Sequence, residues 1–222
     1  MSQDNRYGAG RTALRTAGIM LVFTLLFTAL MSLTYKLTSP AIAASQEAEK
    51  MRLIDEILPR TAYDNDLLSD YVLLARTPEL GLPRGGTVWR ARLDGQPVAL
   101  VVEAIAPDGY GRPIHLAIAV TADGRISGVR VTAHGETPGL GDYIDPKKDR
   151  NRDRPWITQF NGHSLEDVPL ERWKVGRDGG EFDYRIGATI SARAVTEATG
   201  RALAWAISNR ERLFDAPAGS TL

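Results

Sequence analysis

The run Asp183-Tyr184-Arg185-Ile186-Gly187-Ala188-Thr189-Ile190-Ser191 sets one hydroxyl, that of Thr189, behind two residues almost without side chains and at the mouth of an expected helix. A threonine placed this way is open to a modifying enzyme and can accept a transferred group at its oxygen. The same placement also suits a purely structural task, because a Thr at a helix N-cap satisfies a free backbone N–H. A Thr hydroxyl is a poor nucleophile without an adjacent base or metal. No obvious base stands beside Thr189 in the sequence, His163 being the nearest histidine, so modification there calls for a separate enzyme.

A second stretch, His134-Gly135-Glu136-Thr137-Pro138-Gly139-Leu140-Gly141-Asp142, carries three glycines and a proline in nine residues. It cannot be regular structure and reads as a shaped loop directly after a strand, either a surface turn or a binding loop on a rigid scaffold. Its glycines let backbone N–H groups approach a flat ligand, and Glu136 and Thr137 add hydrogen-bonding groups. Other chemistry is poorly supported. His115, His134 and His163 lack metal-ligand spacing, so no metal site is expected. Asp142, Asp145, Asp149 and Asp153 alternate with Lys147, Lys148, Arg150 and Arg152 but do not fit an EF-hand, and they read as a solvated mixed-charge loop.

These residues need a scaffold, and the pattern supplies one. Trp89, Ala91 and Leu93 alternate with Arg90 and Arg92; Val98 to Val102 follow; Ile114, Leu116, Ile118 and Val120 alternate strictly; Val129 and Val131 face away from Arg130. Asp94-Gly95, Asp108-Gly109 and Asp123-Gly124 punctuate these runs as turns, predicting an antiparallel meander. From Ser191 to Phe214 the period changes: Ala194, Val195, Ala198, Ala202, Trp205 and Ala206 form a helical stripe, predicting a C-terminal helix packed on the sheet. Residues 215–222 read as a frayed tail. Met51, Ile54 and Leu58 fall at helical spacing before Pro59, and Thr61 to Gly86 reads as a loop-rich connection.

From Ala17 to Tyr35 the chain runs nineteen residues without a charge, about the length that spans a bilayer as a helix. Arg6, Arg11 and Arg15 precede it against Asp4 alone, which favours a cytoplasmic N-terminus and an exported remainder. Ala41-Ile42-Ala43 offers a signal-peptidase pattern, so a cleaved leader and a released periplasmic ligand-binding domain form one alternative. The run exceeds an ordinary signal-peptide core, which favours a retained anchor. The predicted organisation is a cytoplasmic segment 1–16, a transmembrane helix 17–35, a stalk helix and connecting loop 36–86, a sheet domain 87–214 and a tail 215–222. The fold class is α+β. With 27 Lys plus Arg against 27 Asp plus Glu the chain lacks the basic excess of a nucleic-acid binder, and without cysteine it excludes thiolate catalysis, Fe–S ligation and disulfides.

Several of these motifs, in order, resemble the G subunit of Rnf-type electron transport complexes, a family related to the C subunit of the sodium-pumping NADH:quinone reductase. They are Asp108-Gly109-Tyr110-Gly111, Leu116 to Val120, Gly128 to Val131, Glu136 to Asp142, Trp156 to Phe160, Trp173, Asp178 to Asp183, and Gly187-Ala188-Thr189. The resemblance implies an FMN-binding domain in which FMN is joined by a phosphoester to Thr189, with Gly187 and Ala188 completing the triplet, Asp183 at the start of the attachment signal and Ser191 as its trailing hydroxyl. Glu136, Thr137, Gly139 and Leu140 would contact the cofactor. Ile186 stands where the family usually has Ser or Thr, and Gly176 where it often has Lys, leaving Arg177 to supply a positive charge for the phosphate. The implied partners are the other membrane and redox subunits of the complex and a flavin transferase, and the implied location is the bacterial inner membrane, single-pass, with the main domain periplasmic. The implied role is an electron carrier, not an independent enzyme. A non-redox assembly or sensory protein of the same fold is the alternative from another class.

Overall fold

In the computed structural model, which describes residues 4–222, the apolar N-terminal stretch belongs to one helix, α1 (Asp4–Asp55). The chain divides into two units, Met1–Lys50 and Met51–Leu222. In the first, Gly10–Ile42 is long and apolar enough to cross a membrane, and none of it is buried by protein. Four of its hydroxyls are spent internally: Thr16, Thr24, Thr34 and Thr38 each donate to the carbonyl four residues earlier at 2.8–3.0 Å, which lowers the cost of placing them in lipid. One continuous helix spans the ranges read as membrane helix and the start of the stalk. The helix continues through Pro40, whose ring removes one backbone donor without ending it, and Ala41-Ile42-Ala43 lies inside it.

The second unit is built on a five-stranded antiparallel sheet in sequential order: β1 (Tyr71–Leu74), β2 (Gly86–Leu93), β3 (Gln96–Ala106), β4 (Ile114–Thr121) and β5 (Ile126–Ala133). The predicted meander is therefore present. Asp94 and Gly95 both adopt positive φ (50° and 75°) between the paired residues Leu93 and Gln96, as a two-residue type I′ hairpin requires. The Asp108-Gly109 turn opens a longer connection from β3 to β4 that carries Tyr110 and Gly111.

Both faces of the sheet are covered. Val88, Leu100, Val102, Leu116, Ile118 and Val120 pack with the helix α2 (Thr189–Asp215), whose buried stripe includes Ala192, Val195, Ala198, Ala202, Leu203 and Ala206. Small side chains on that stripe let the helix sit close to the sheet. Trp89, Ala91, Ala99, Val101, Ala117 and Ala119 face the other way and are covered by Ile54, Ile57, Leu58, Tyr63 and Leu67. Each large aliphatic side chain buried this way contributes roughly 1.5–3 kcal/mol.

Three differences from expectation bear on how α2 is held. The connection 61–86 contains β1, too short at four residues to announce itself by alternation. The tail 215–222 runs along the free edge of that strand: Leu73 N–H donates to Ser220 C=O (2.8 Å), Leu222 N–H to Leu73 C=O (2.9 Å) and Ala75 N–H to Leu222 C=O (2.8 Å). Arg90, placed by alternation among exposed positions, is 2% exposed. Its guanidinium pairs with Asp70 and donates to the carbonyls of Leu213 (2.9 Å) and Ala216. Arg92 adds a bond to Phe214 C=O (2.9 Å). Two cations thus close the C-terminal end of α2, where free carbonyls accumulate.

Candidate functional site

The other end of α2 begins in a tight turn. Ala188 N–H donates to Arg185 C=O (3.1 Å), and the third residue of that turn, Gly187, has φ +88°, a region that favours glycine. Ile186 takes the outer corner and is 95% exposed. Ala188 is the N-cap and no side chain caps the helix. Thr189 is its first helical residue, so an N-cap role, the structural alternative for its hydroxyl, does not describe it. Thr189 is buried, and its hydroxyl has no hydrogen-bond partner among the described residues.

The loop after β5 closes over this helix start. Leu140 and Gly141 N–H both turn back on Thr137 C=O (3.1 Å each), and Gly139 N–H donates to the Asp142 carboxylate (2.9 Å). Glu136 is 4% exposed; one carboxylate oxygen accepts Gly111 N–H (3.2 Å) and the other accepts the Ser191 hydroxyl. Gly141 lies so close that a Cβ there would stand 2.5 Å from Ser191 Oγ. Three separate segments therefore meet: the β3–β4 connection, the loop after β5 and the first turn of α2.

Between them is a cavity of about 280 Å³ lined by Tyr110, Glu136, Thr137, Leu140, Gly141, Gly187, Ala188, Ile190 and Ser191. Six of the sequence-derived site residues line it: Glu136, Thr137, Leu140, Gly187, Ala188 and Ser191. Thr189 is not itself a lining residue, but its neighbours on both sides are. Gly139 is on the same loop, outside the lining. Asp183 faces a second cleft of about 410 Å³ with Arg154, Trp156, Gln159 and Arg185; its backbone is tied down by Gln159 (2.7 Å) and by the Trp156 indole N–H (2.7 Å). Arg177 sits exposed in the turn Gly176–Asp178 and lines neither cleft; its neighbour Asp178 makes a two-point ion pair with Arg193 on α2. Sequence reasoning missed Tyr110, Gly141 and Ile190 as lining. All three stood within motifs already singled out, so their positions were available.

It also missed the support beneath the turn. Asp149, read as part of a solvated loop, is 1% exposed. It accepts the backbone N–H groups of Trp156 (2.6 Å) and Asn151 (2.9 Å) and pairs with Arg185, whose guanidinium lies 4.3 Å from the centre of the Tyr143 ring. Burial opposes the Asp149 charge, but the two N–H groups and Arg185 outweigh it and hold the carboxyl below its ordinary value. Burial pushes the Tyr143 phenol up, so it stays a hydroxyl able both to donate and to accept. The depressed Asp149 makes a signed expectation. Its contribution is complete above the ordinary carboxylate value and is lost as pH falls through the lower folded value. Asp149→Asn should cost about 1–2 kcal/mol at neutral pH, the lower range for a charged hydrogen bond because Arg185 is partly solvent-screened. Urea unfolding followed by tryptophan fluorescence should show the gap from wild type closing in acid; a gap that stays constant to low pH overturns the assignment.

Known proteins are similar to this chain in sequence across these segments. The FMN-binding domain family matches residues 109–204, the span that contains every lining residue of the 280 Å³ cavity, and the RnfG N-terminal region matches residues 1–57. The fold and site thus define a protein of the FMN-binding domain class, preceded by a candidate membrane span. The G subunit of the ion-translocating oxidoreductase complex of Pseudomonas aeruginosa is 42% identical over 204 residues, covering 92% of this chain and 93% of that protein. The corresponding protein of Shewanella loihica is 38% identical over 208 residues (94% and 96%), and that of Vibrio cholerae 37% over 207 residues (93% and 96%). The chain belongs to this family, the G subunits of Rnf-type ion-translocating oxidoreductase complexes.

Proposed function

We propose that this chain is a membrane-anchored electron carrier that holds FMN through a phosphoester on Thr189 and works within an Rnf-type complex coupling redox to ion transport. The observation that carries the reading is the convergence of Glu136, Thr137, Ser191 and the Gly187-Ala188 turn on one cavity at the start of α2. The residues present suit the group. A flavin has a flat apolar ring with a polar edge, a polyol chain and a phosphate. Among the large apolar side chains that this unit leaves in solvent, Tyr110, Leu140, Ile186 and Ile190 are 68%, 58%, 95% and 44% exposed and lie on the segments that surround the cavity. Glu136, Thr137 and Ser191 provide polar partners, and the uncapped first turn of α2 offers N–H groups and positive dipole to a phosphate. At about 280 Å³ the cleft is at the lower edge of small-molecule sites, roughly 300–1,000 Å³, so a covalent tether compensates for limited enclosure.

The attachment balances as a group transfer. The Thr189 Oγ–phosphorus bond forms while the pyrophosphate bond of FAD breaks, AMP leaves, and the hydroxyl proton passes to a base of the flavin transferase. Gly187 presents no side chain to obstruct that enzyme, and Ile186 stays outside the cavity lining. When bound, the flavin supplies one- and two-electron chemistry; the chain supplies the tether, the orientation and the hydrogen bonds around it. The Arg-rich N-terminal flank supports an N-terminus in the cytoplasm and a periplasmic sheet domain in a single-pass inner-membrane arrangement. The partners are other membrane and redox subunits of the complex. Intact-mass measurement of native protein tests the reading: the expected mass exceeds that of the sequence by one covalently bound FMN. A mass equal to the sequence alone favours the non-redox assembly or sensory role.

A further inference from the structure

Resting on the reading of Thr189 as the flavin anchor, we infer that Tyr143 is the positioning residue that sets the attachment turn. It lies in the short helical turn Gly141–Ile144, immediately after the cavity loop, and is 2% exposed. Its hydroxyl accepts Arg185 N–H (3.2 Å) and donates to Ala188 C=O (3.4 Å), so a single oxygen bridges both ends of the Arg185–Ala188 turn. The ring beneath is fixed on two sides. The Arg185 guanidinium lies 4.3 Å from its centre, and the Trp156 ring meets it edge-on at 5.4 Å. Buried Asp149 holds both neighbours, through the Arg185 side chain and the Trp156 N–H.

The arrangement matters because, apart from the Arg185–Asp149 pair and the packing of Ala188 on the core, little holds the turn itself. Ile186 is out in solvent, Gly187 touches nothing within 4 Å of where a Cβ would be, and α2 has no side-chain cap. One backbone hydrogen bond, Ala188 N–H to Arg185 C=O, remains. Ala188 C=O, the N-cap carbonyl that opens the helix ladder, is also the group Tyr143 contacts, so the phenol fixes the direction in which the next residue, Thr189, leaves the turn. In the transfer, where the Thr189 Oγ–phosphorus bond would replace the FAD pyrophosphate bond and AMP would leave, Tyr143 would act through the turn alone, its hydroxyl being bonded to Arg185 N–H and Ala188 C=O. It sets how often the hydroxyl is correctly presented.

Tyr143→Phe keeps the ring under Arg185 and removes only the bridging oxygen. In the full-length chain in detergent, with FAD and a flavin transferase, the initial rate of FMN incorporation read by intact mass should fall about tenfold, the scale of two neutral hydrogen bonds. The fall should be in kcat/KM for the protein substrate, and the visible circular dichroism of the incorporated flavin should change. Tyr63→Phe is the control: that phenol is 5% exposed and hydrogen-bonds Asp55 and Arg60 on the opposite face of the sheet, and its loss should leave the rate unchanged. Incorporation by Tyr143→Phe at the wild-type rate with an unchanged flavin spectrum overturns the inference, as does an equal slowing by Tyr63→Phe. Covalent flavin retained by Thr189→Ala overturns the anchor reading itself, whichever way Tyr143→Phe behaves.

Discussion

Thr189→Ala is expected to give a folded chain with no covalent flavin at all, since no oxygen remains at that position to form the ester. Its effect on stability separates the two roles open to this hydroxyl. Had Thr189 been the N-cap, replacement by Ala would cost about 1 kcal/mol. It is instead the first helical residue, with no hydrogen bond from its hydroxyl among the described residues, and Ala is the better helix former. Urea unfolding should therefore be nearly unchanged, the gain in helix propensity offsetting most of the one methyl group withdrawn from a buried position, while the mass loses its FMN increment. Thr189→Ser retains an oxygen at the same place and should still be flavinylated. Ser191 offers no substitute acceptor, because its hydroxyl is engaged by buried Glu136. A flavin persisting on Thr189→Ala, or a loss of stability of cap size, would show that the hydroxyl has been misread.

The elements that the chain spells out locally were legible. Period-two alternation and Asp-Gly turns specify the meander because each strand has a buried face, and the alanine-rich stripe specifies α2 because a small helix face must meet the sheet. The cavity loop was legible for the same local reason: three glycines and a proline exclude regular structure. What was not legible depends on partners far along the chain. β1 is four residues long and is held by β2 on one side and the C-terminal tail on the other. Nothing in the tail's own composition announces that edge. Asp149 reads as one acid among many charges, and only the approach of Arg185 and the Trp156 N–H, from 36 and 7 residues away, makes it a buried anchor. Thr189 was singled out because its triplet is contiguous; Tyr143, which accepts the Arg185 N–H from 42 residues earlier, was not.

Arg90 is the sharpest case of this kind, and replacing it should have the largest effect on stability. Alternation on β2 gives an exposed cation; the fold gives a guanidinium 2% exposed, joined to Asp70 and to the last carbonyls of α2. Removing one partner of a buried pair leaves the other uncompensated, and the helix end would also lose its donors. Arg92 moderates the loss, since it reaches both Asp70 (2.9 Å) and Phe214 C=O (2.9 Å). Arg90→Leu is expected to cost about 3 kcal/mol, and Arg90→Met combined with Asp70→Asn should recover part of it, because a neutral packed pair avoids the stranded charge. All four tryptophans, Trp89, Trp156, Trp173 and Trp205, lie outside the membrane-spanning stretch, so their fluorescence in urea reports this unit without interference from α1. A loss under about 1 kcal/mol, the scale of an exposed ion pair, would mean that the C-terminal end of α2 is held by packing and the tail strand alone, with Arg90 a passenger. A loss of the expected size, relieved in the double variant, places the charge pair in control of where α2 ends, and through the rigid helix, of where its first turn meets the cavity.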